Sequence, residues 1–465
     1  MDTAITDVGA QRALAHRGSR VFVLVGIAAL FFLLQIISAL TPPFQSPDEF
    51  NHLKRAYLLS RGEILLGSVD GVTGGYVDTG LLDYMGTFVP VIGQYGNTIS
   101  DDQIRLARTI QWSKKKRFVT LVNTAEYFPL SYMPQAMGLK LGEALGLSIE
   151  TTYYSTRFVC IFTALALILL ASLAYPIPLF SAAVLVLPMS LYQMSSTSLD
   201  SVAFPLSVLT ASLFMRGADF RMTFTPGMHL ALALGLFALA TSRIVLLPLT
   251  LSLVSLYIAR RSRIFLVSAF AAFAGAASWI LIAVKTVRSE FPGLGSSGTV
   301  AIHYLISPLS LLQVIKATFT DREMLRYYWS SFIGLLGWNE TPLDAFVYDA
   351  WGLSLILLAI ISFQTNRDGL LSVGSLSLAV ATTICLFLIF FIELCVATPQ
   401  PAVEIFGVQG RYFIPIAILL GYSVFSKRHR RVESIVGLST VAITTWLSIV
   451  SMVHKLVTRY WEPSG

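Results

Sequence analysis

Residues 41–63 read TPPFQSPDEFNHLKRAYLLSRGE, and this stretch holds the most chemistry per residue in the chain. The spacing predicts a helix in which Ser46 is the N-cap, Pro47 the first helical residue and Glu49 the third, closing a capping box. On such a helix Asp48, His52 and Arg55 fall at i, i+4 and i+7, so a carboxylate, an imidazole and a guanidinium share one face. A carboxylate kept ionised by the helix N-terminus can hold a divalent cation or act as general base toward a hydroxyl. His52 and Arg55 could then pair with phosphate oxygens. The same residues also admit a purely structural role, with Glu49 capping, Asp48 complementing the helix dipole and Arg55 snorkelling at a membrane surface.

Other polar residues stand in apolar surroundings. The segment VQGRYFIP sets Gln409, Arg411 and Tyr412 at the head of an apolar run. An arginine there runs against the charge bias of the other clusters, so it grips a lipid phosphate, pairs with Glu404 or snorkels to water. Arg243, in ATSRIVLLPL, is a second phosphate ligand or an ordinary loop arginine, and Asp200, in SSTSLDS, either has a catalytic part or belongs to a helix N-cap. Glu126, Tyr127 and Tyr132, with Trp338, Asn339 and Glu340, could line a sugar pocket, since aromatic faces and amides suit hydroxylated rings; interfacial packing accounts for the same aromatics. The chain shows no Gly-rich phosphate loop, zinc spacing or Ser-His-Asp order. A nucleotide-sugar donor held in a soluble domain is therefore disfavoured.

The elements that must position these groups are membrane spans. Of 465 residues 55% are hydrophobic and 13% charged, and the mean hydropathy is +0.70; a soluble domain carries about 25% charged residues. Apolar runs near the roughly 20 residues that cross a bilayer are expected at 21–41, 155–175, 177–194, 200–215, 228–241, 243–259, 264–285, 351–364, 370–396, 411–426 and 434–453. The expectation is an all-α polytopic protein of about 11 transmembrane helices, within a range of 10–12. The net charge of +7 reflects basic clusters between apolar runs, an orientation signal and not a nucleic-acid surface. Arg12, Arg17 and Arg20, then Arg216 and Arg221, Arg260, Arg261 and Arg263, Arg367, and Lys427, Arg428, Arg430 and Arg431 all fall on one side if the N-terminus is cytoplasmic.

That parity makes 1–20 a cytoplasmic segment and 21–453 a single transmembrane domain, followed by a short tail at 454–465. Loops 42–154, 286–350 and 397–410 are then extracytoplasmic and carry short amphipathic helices. The cluster from Lys114 to Arg117 is the exception, tolerable in so long a loop and read as a solvated face ahead of contact with anionic lipid or substrate. Cys160, Cys385 and Cys395 lie in apolar runs and are expected to be core residues. No internal repeat is visible, which counts against an inverted-repeat transporter.

Five segments in order, SPDEFNHLKRAYLLSRGE, EYFPLSYMPQAMGLKLGEALGLS, LPMSLYQMSSTSLDS, LLGWNETPLDAF and GVQGRYFIP, resemble the membrane protein family known as domain of unknown function 2142, over about residues 40 to 425. That family resembles in turn the GT-C superfamily of integral membrane glycosyltransferases. The resemblance implies transfer of a sugar from a polyprenyl-phosphate donor to a cell-envelope glycan, lipid or protein acceptor outside the cytoplasm, in the cell membrane. It places the first-loop catalytic or metal-binding carboxylates at Asp48 and Glu49, with Mg2+ or Mn2+ as the cation, and it favours a phosphate grip for Arg411 with Arg55 or Arg243. The rival readings are a flippase of lipid-linked glycans and a non-catalytic subunit of polysaccharide assembly.

Overall fold

A computed structural model describes residues 23–287, 297–365, 372–424 and 431–462. Arg12, Arg17, Arg20, Arg367, Lys427, Arg428 and Arg430, which enter the orientation argument, lie outside the described residues.

In their described residues all eleven expected apolar runs contain helix, but they are not equivalent. Among the described residues seven helices are long and apolar enough to cross a membrane: Val23–Leu40, Ile149–Ala174, Asp200–Ala218, Ile264–Thr286, Ala345–Phe363, Val373–Val396 and Ser434–Tyr460. Pro226–Ser242, Ile244–Arg260 and Gly410–Val424 are shorter apolar helices. The run expected at 177–194 is two seven-residue helices, Leu179–Leu185 and Pro188–Met194. Pro188 has no N–H to continue the first helix and opens the second at its N-terminus. The last helix continues to Tyr460, past the boundary expected at 453.

Sequence starts these helices locally. Ser148, Thr225 and Ser372 each accept a backbone N–H of the following turn as N-cap, and Pro226 occupies the first helical position after Thr225. Small residues then decide packing, because apolar surface gains little between helices surrounded by lipid. Gly138 and Gly142, one turn apart on helix Met133–Ala144, lie against Thr156 and Thr152 of Ile149–Ala174; a Cβ at Gly142 would come within 2.4 Å of Thr152. Helix Asp200–Ala218 packs against Ile149–Ala174, Pro226–Ser242 and the helix after Arg411. It is the most enclosed crossing, 78% buried in its apolar window.

Asp200 stands at the N-terminal end of this helix and Arg216 in its last turn. Arg243 precedes, and Arg260 ends, the run Ile244–Arg260. Arg260 donates to the carbonyls of Arg216, Gly217, Asp219 and Met222. The basic clusters of two crossings thus meet at one end of the bundle, and Asp200 and Arg243 meet at the other.

The loop expected at 42–154 is a small mixed unit. It contains an antiparallel three-stranded sheet of Gly67–Val69, Val72–Asp78 and Lys116–Thr120 beside short helices. The strands were not among the expected elements. In loop 286–350 the helices Ser297–Ile306 and Pro308–Thr320 form an apolar pair bent by 103°. The chain end docks on this assembly: Arg459, 3% exposed, donates to the carbonyls of Val91 and Asn97. The three cysteines are buried and free.

Candidate functional site

The turn TPPFQSPD leaves the first span and starts helix Glu49–Ser60. Two non-glycine residues in this turn, Phe44 and Asp48, have left-handed backbones with φ of 66° and 61°. Such a conformation in an aromatic residue needs support. Phe44 has it: its ring is fully buried, it stacks on Phe50 with centroids 4.7 Å apart, and its N–H donates to Tyr153 Oη.

Asp48, not Ser46, is the N-cap residue, and no side chain caps the helix. The expected capping box is half formed. Glu49 Oε2 accepts the Ser46 N–H at 3.4 Å, whereas Ser46 Oγ donates to Gln193 Oε1. The reason is tertiary. Glu49 is fully buried and its Oε1 accepts from Tyr153 Oη at 2.8 Å, Thr197 N at 2.9 Å and Thr197 Oγ1 at 3.0 Å. Its Oε2 stands 3.4 Å from the Arg157 guanidinium. Arg157, 1% exposed, also donates to the carbonyls of Ser38, Thr41 and Pro42. Glu49 and Arg157 thus lock the turn to two other segments. Arg157 went unremarked in the sequence, although an arginine inside an apolar span signals a buried partner.

Asp48 faces the other way, into a cavity of about 660 Å³. Its Oδ2 lies 2.5 Å from Arg411 Nη2. Arg411 therefore pairs with the first-loop carboxylate and not with Glu404. Arg243 Nη2 stands 2.5 Å from Asp200 Oδ1, and Asp200 Oδ2 is 3.9 Å from Arg411 Nη1. The Tyr412 ring lies under both cations, 4.5 Å from the Arg243 guanidinium carbon and 5.6 Å from that of Arg411. The result is a chain of alternating charge, Asp48, Arg411, Asp200 and Arg243, drawn from four distant parts of the sequence. Burial raises the Asp48 pKa, but attraction to Arg411 and Arg243 and the Arg411 hydrogen bond outweigh it and hold the carboxyl below its ordinary value.

His52 also lines the cavity, and its Nδ1 is 2.8 Å from Tyr132 Oη. Burial pushes its pKa down to about 4 against the pull of Asp48 and Asp200, so the imidazole is neutral at pH 7. Glu126, Tyr127 and Gln409 complete the predicted residues on the wall. The surrounding protein raises the pKa of Glu126, although its exposure to the cavity limits the effect.

Six sequence candidates are off the cavity wall, Glu49, Arg55, Tyr132, Trp338, Asn339 and Glu340; Tyr132 reaches it only through His52, and Glu340 stands 3.4 Å from the Arg459 guanidinium. Arg55 donates to the carbonyls of Glu63 and Ile64 and closes its own helix end. Trp338 donates to the Phe44 carbonyl from behind the turn. Asn339, with φ of 68°, belongs to the turn between strands Leu335–Leu336 and Thr341–Pro342. Conversely, Glu393 lines the cavity and was missed; a carboxylate three residues from the end of an apolar run was its signal. Asn123 and Thr124 also line it, with nothing local to mark them.

Among the described residues no group of three or more His, Cys, Asp or Glu side chains converges as a metal site. The neighbour of Asp48 is a guanidinium, a donor set unsuited to a divalent cation in this arrangement.

Fold and site together define a multi-pass α-helical membrane protein with a charged cavity at the loop-bearing end of its helices. Residues 31–420 match the family described as predicted membrane protein (DUF2142), and the chain belongs to that family. No curated protein matches the sequence. Among solved structures, the crystal structure of ArnT from Cupriavidus metallidurans bound to undecaprenyl phosphate is similar at a TM-score of 0.35 and 13% identity, over 95% of this chain and 78% of that chain.

Proposed function

We propose that this chain is a glycosyltransferase of GT-C type that moves a sugar from a polyprenyl-phosphate donor to a cell-envelope glycan, lipid or protein acceptor on the extracytoplasmic face. The observation that carries the reading is the Asp48–Arg411 pair on the wall of the large cavity. It sets a candidate base beside a candidate phosphate ligand. Two further features support it. Arg411 Nε and Arg243 Nε are buried without hydrogen-bond partners, as are those of Arg55, Arg157 and Arg459, but of these five arginines only Arg411 and Arg243 line the cavity, where a ligand could supply the partner. An apolar groove of about 270 Å³ also begins at Leu199 and Ser242, the residues preceding Asp200 and Arg243. A polyprenyl tail in that groove would deliver its phosphate to the two arginines.

In this mechanism the donor phosphate takes Arg411 and Arg243 from their carboxylates. Asp48, released from Arg411, becomes a stronger base and accepts the proton of the acceptor hydroxyl. The acceptor oxygen bonds to the anomeric carbon as the bond from that carbon to the phosphate oxygen breaks. The electron pair leaves on the phosphate, where the guanidinium groups stabilise it. Asp48 later yields the proton to water. No step passes through a metal ion.

The test is sugar transfer by purified protein in lipid nanodiscs, supplied with polyprenyl-phosphate sugars and matched for thermal stability. Asp48→Asn should lose about 10² to 10⁴ in rate, the usual worth of a general base. Arg411→Ala should abolish turnover or raise the donor KM. Arg411→Lys should recover only part, because a point charge replaces a planar fork. Full activity in Asp48→Asn, or glycolipid movement across the bilayer without sugar transfer, would overturn the reading.

A further inference from the structure

A second cleft, of about 610 Å³, lies outside this cavity, between helix Met133–Ala144 and the small sheet of the first loop. Its polar lining is mostly cationic: Arg61, Lys114, Lys116 and Lys140 against Asp78 and Glu143. Both acids are committed internally. Glu143 pairs with Arg61, which also covers the Tyr57 ring at 4.9 Å. Asp78 accepts the backbone N–H groups of Ser113 at 3.2 Å and Lys114 at 2.8 Å. No ion pair among the described residues engages Lys114, Lys116 or Lys140. The Asp78 hydrogen bonds fix the turn in which Lys114 is left-handed, φ 63°. Trp112 stacks on Tyr57 at 6.3 Å and forms part of the wall.

The depth of the cleft follows from helix packing. Helix Met133–Ala144 runs beside span Ile149–Ala174, with Gly138 against Thr156 and Gly142 against Thr152. Lys140 is therefore level with the start of the apolar run at residue 155. The same helix leaves Met133, Met137, Leu141 and Leu145 between 52% and 65% exposed. A spacing of four makes them one stripe. With Gly138 against Thr156 and Gly142 against Thr152, Met133 and Met137 lie on the membrane side of Lys140 and Leu141 and Leu145 on its outer side; ammonium groups above the two exposed methionines match an anionic lipid in charge at the headgroup and in hydropathy along the tail. A water-borne acidic glycan would have no use for the methionines.

We propose that this cleft binds the phosphate headgroup of an anionic lipid at the loop-bearing membrane face, with Lys114, Lys116 and Lys140 as its ligands and acyl chains along the exposed Met133 and Met137. The site is separate from the charged cavity, and its test does not depend on sugar transfer. Native mass spectrometry of the full chain, released from phosphatidylcholine nanodiscs with and without phosphatidylglycerol, reads retained lipid directly. Each ammonium near an anionic surface contributes a factor of about five, so Lys114→Ala, Lys116→Ala and Lys140→Ala combined should weaken phosphatidylglycerol retention about a hundredfold. The matching Lys→Arg triple should keep it. Arg105→Ala with Arg326→Ala, on exposed helices elsewhere, should change nothing. Equal retention of phosphatidylcholine, or unchanged phosphatidylglycerol retention in the alanine triple, would overturn the proposal. So would lysine-dependent binding of soluble hexuronate oligomers without lipid retention, which would make the cleft a glycan site.

Discussion

Adjacent carboxylates at residues 48 and 49 have opposite environments, and this difference separates two kinds of consequence. Glu49 and Arg157 form a buried, hydrogen-bonded pair. Removing one member of such a pair costs about 3–5 kcal/mol, because the other charge is left unpaired. Glu49→Ala should therefore lower the thermal midpoint in detergent sharply, and by more than Asp48→Asn, because the Asp48 side chain is 36% exposed and its partner Arg411 keeps Asp200 3.9 Å away; unchanged melting of Glu49→Ala would dissolve the structural role. His52 adds a pH signature. Its folded pKa of about 4 lies below the ordinary 6.5, so the unfolded chain binds the extra proton first. The stability associated with neutral His52 is complete above pH 6.5 and is lost as pH falls toward 4, by up to roughly 3 kcal/mol. Melting curves between pH 7 and 4 should show a steeper acid loss for the parent than for His52→Gln. Parallel curves would mean that the imidazole is not buried neutral.

Element packing sets where the arginines stand. Gly410 precedes Arg411 and meets the backbone of helix Arg322–Ile333 so closely that a Cβ would lie 2.1 Å from Phe332 N and 2.4 Å from the Tyr328 oxygen. Its N–H donates to Ser331 Oγ at 2.8 Å. Gly410→Ala must push this segment away from the helix and shift Arg411. A misplacement of about 1 Å can cost about 10²-fold in rate. The expected outcome is an inserted protein with a defect close to that of Arg411→Ala, read as donor KM and turnover. Wild-type kinetics would show that Arg411 tolerates the displacement.

Over the whole molecule, two crossings have their basic ends together and their site ends together. Reporter fusions should therefore place Arg261 in the cytoplasm and Gly74, in the middle strand of the first-loop sheet, outside it. A cytoplasmic Gly74 would put the cavity on the wrong face for an extracytoplasmic transfer.

Composition and charge parity alone determined a helical membrane protein and the apolar runs that become its helices, and they put Asp48, Asp200, Arg243 and Arg411 at one end of the bundle, where the structure has them. Those properties follow from the bilayer, which demands long apolar helices and biases basic residues to one side. Local patterns were less secure where distant partners competed. The capping-box spacing gave Glu49 a partner three residues away, but Thr197 and Arg157 hold it from 148 and 108 residues away. The i, i+4, i+7 face put Arg55 beside Asp48, yet the nearby carbonyls of Glu63 and Ile64 take its guanidinium. The decisive pairing, Arg411 with Asp48, spans 363 residues. Only tertiary structure could decide it, because a buried charge takes whichever opposite charge the packed helices bring within reach, and sequence spacing carries no record of that distance.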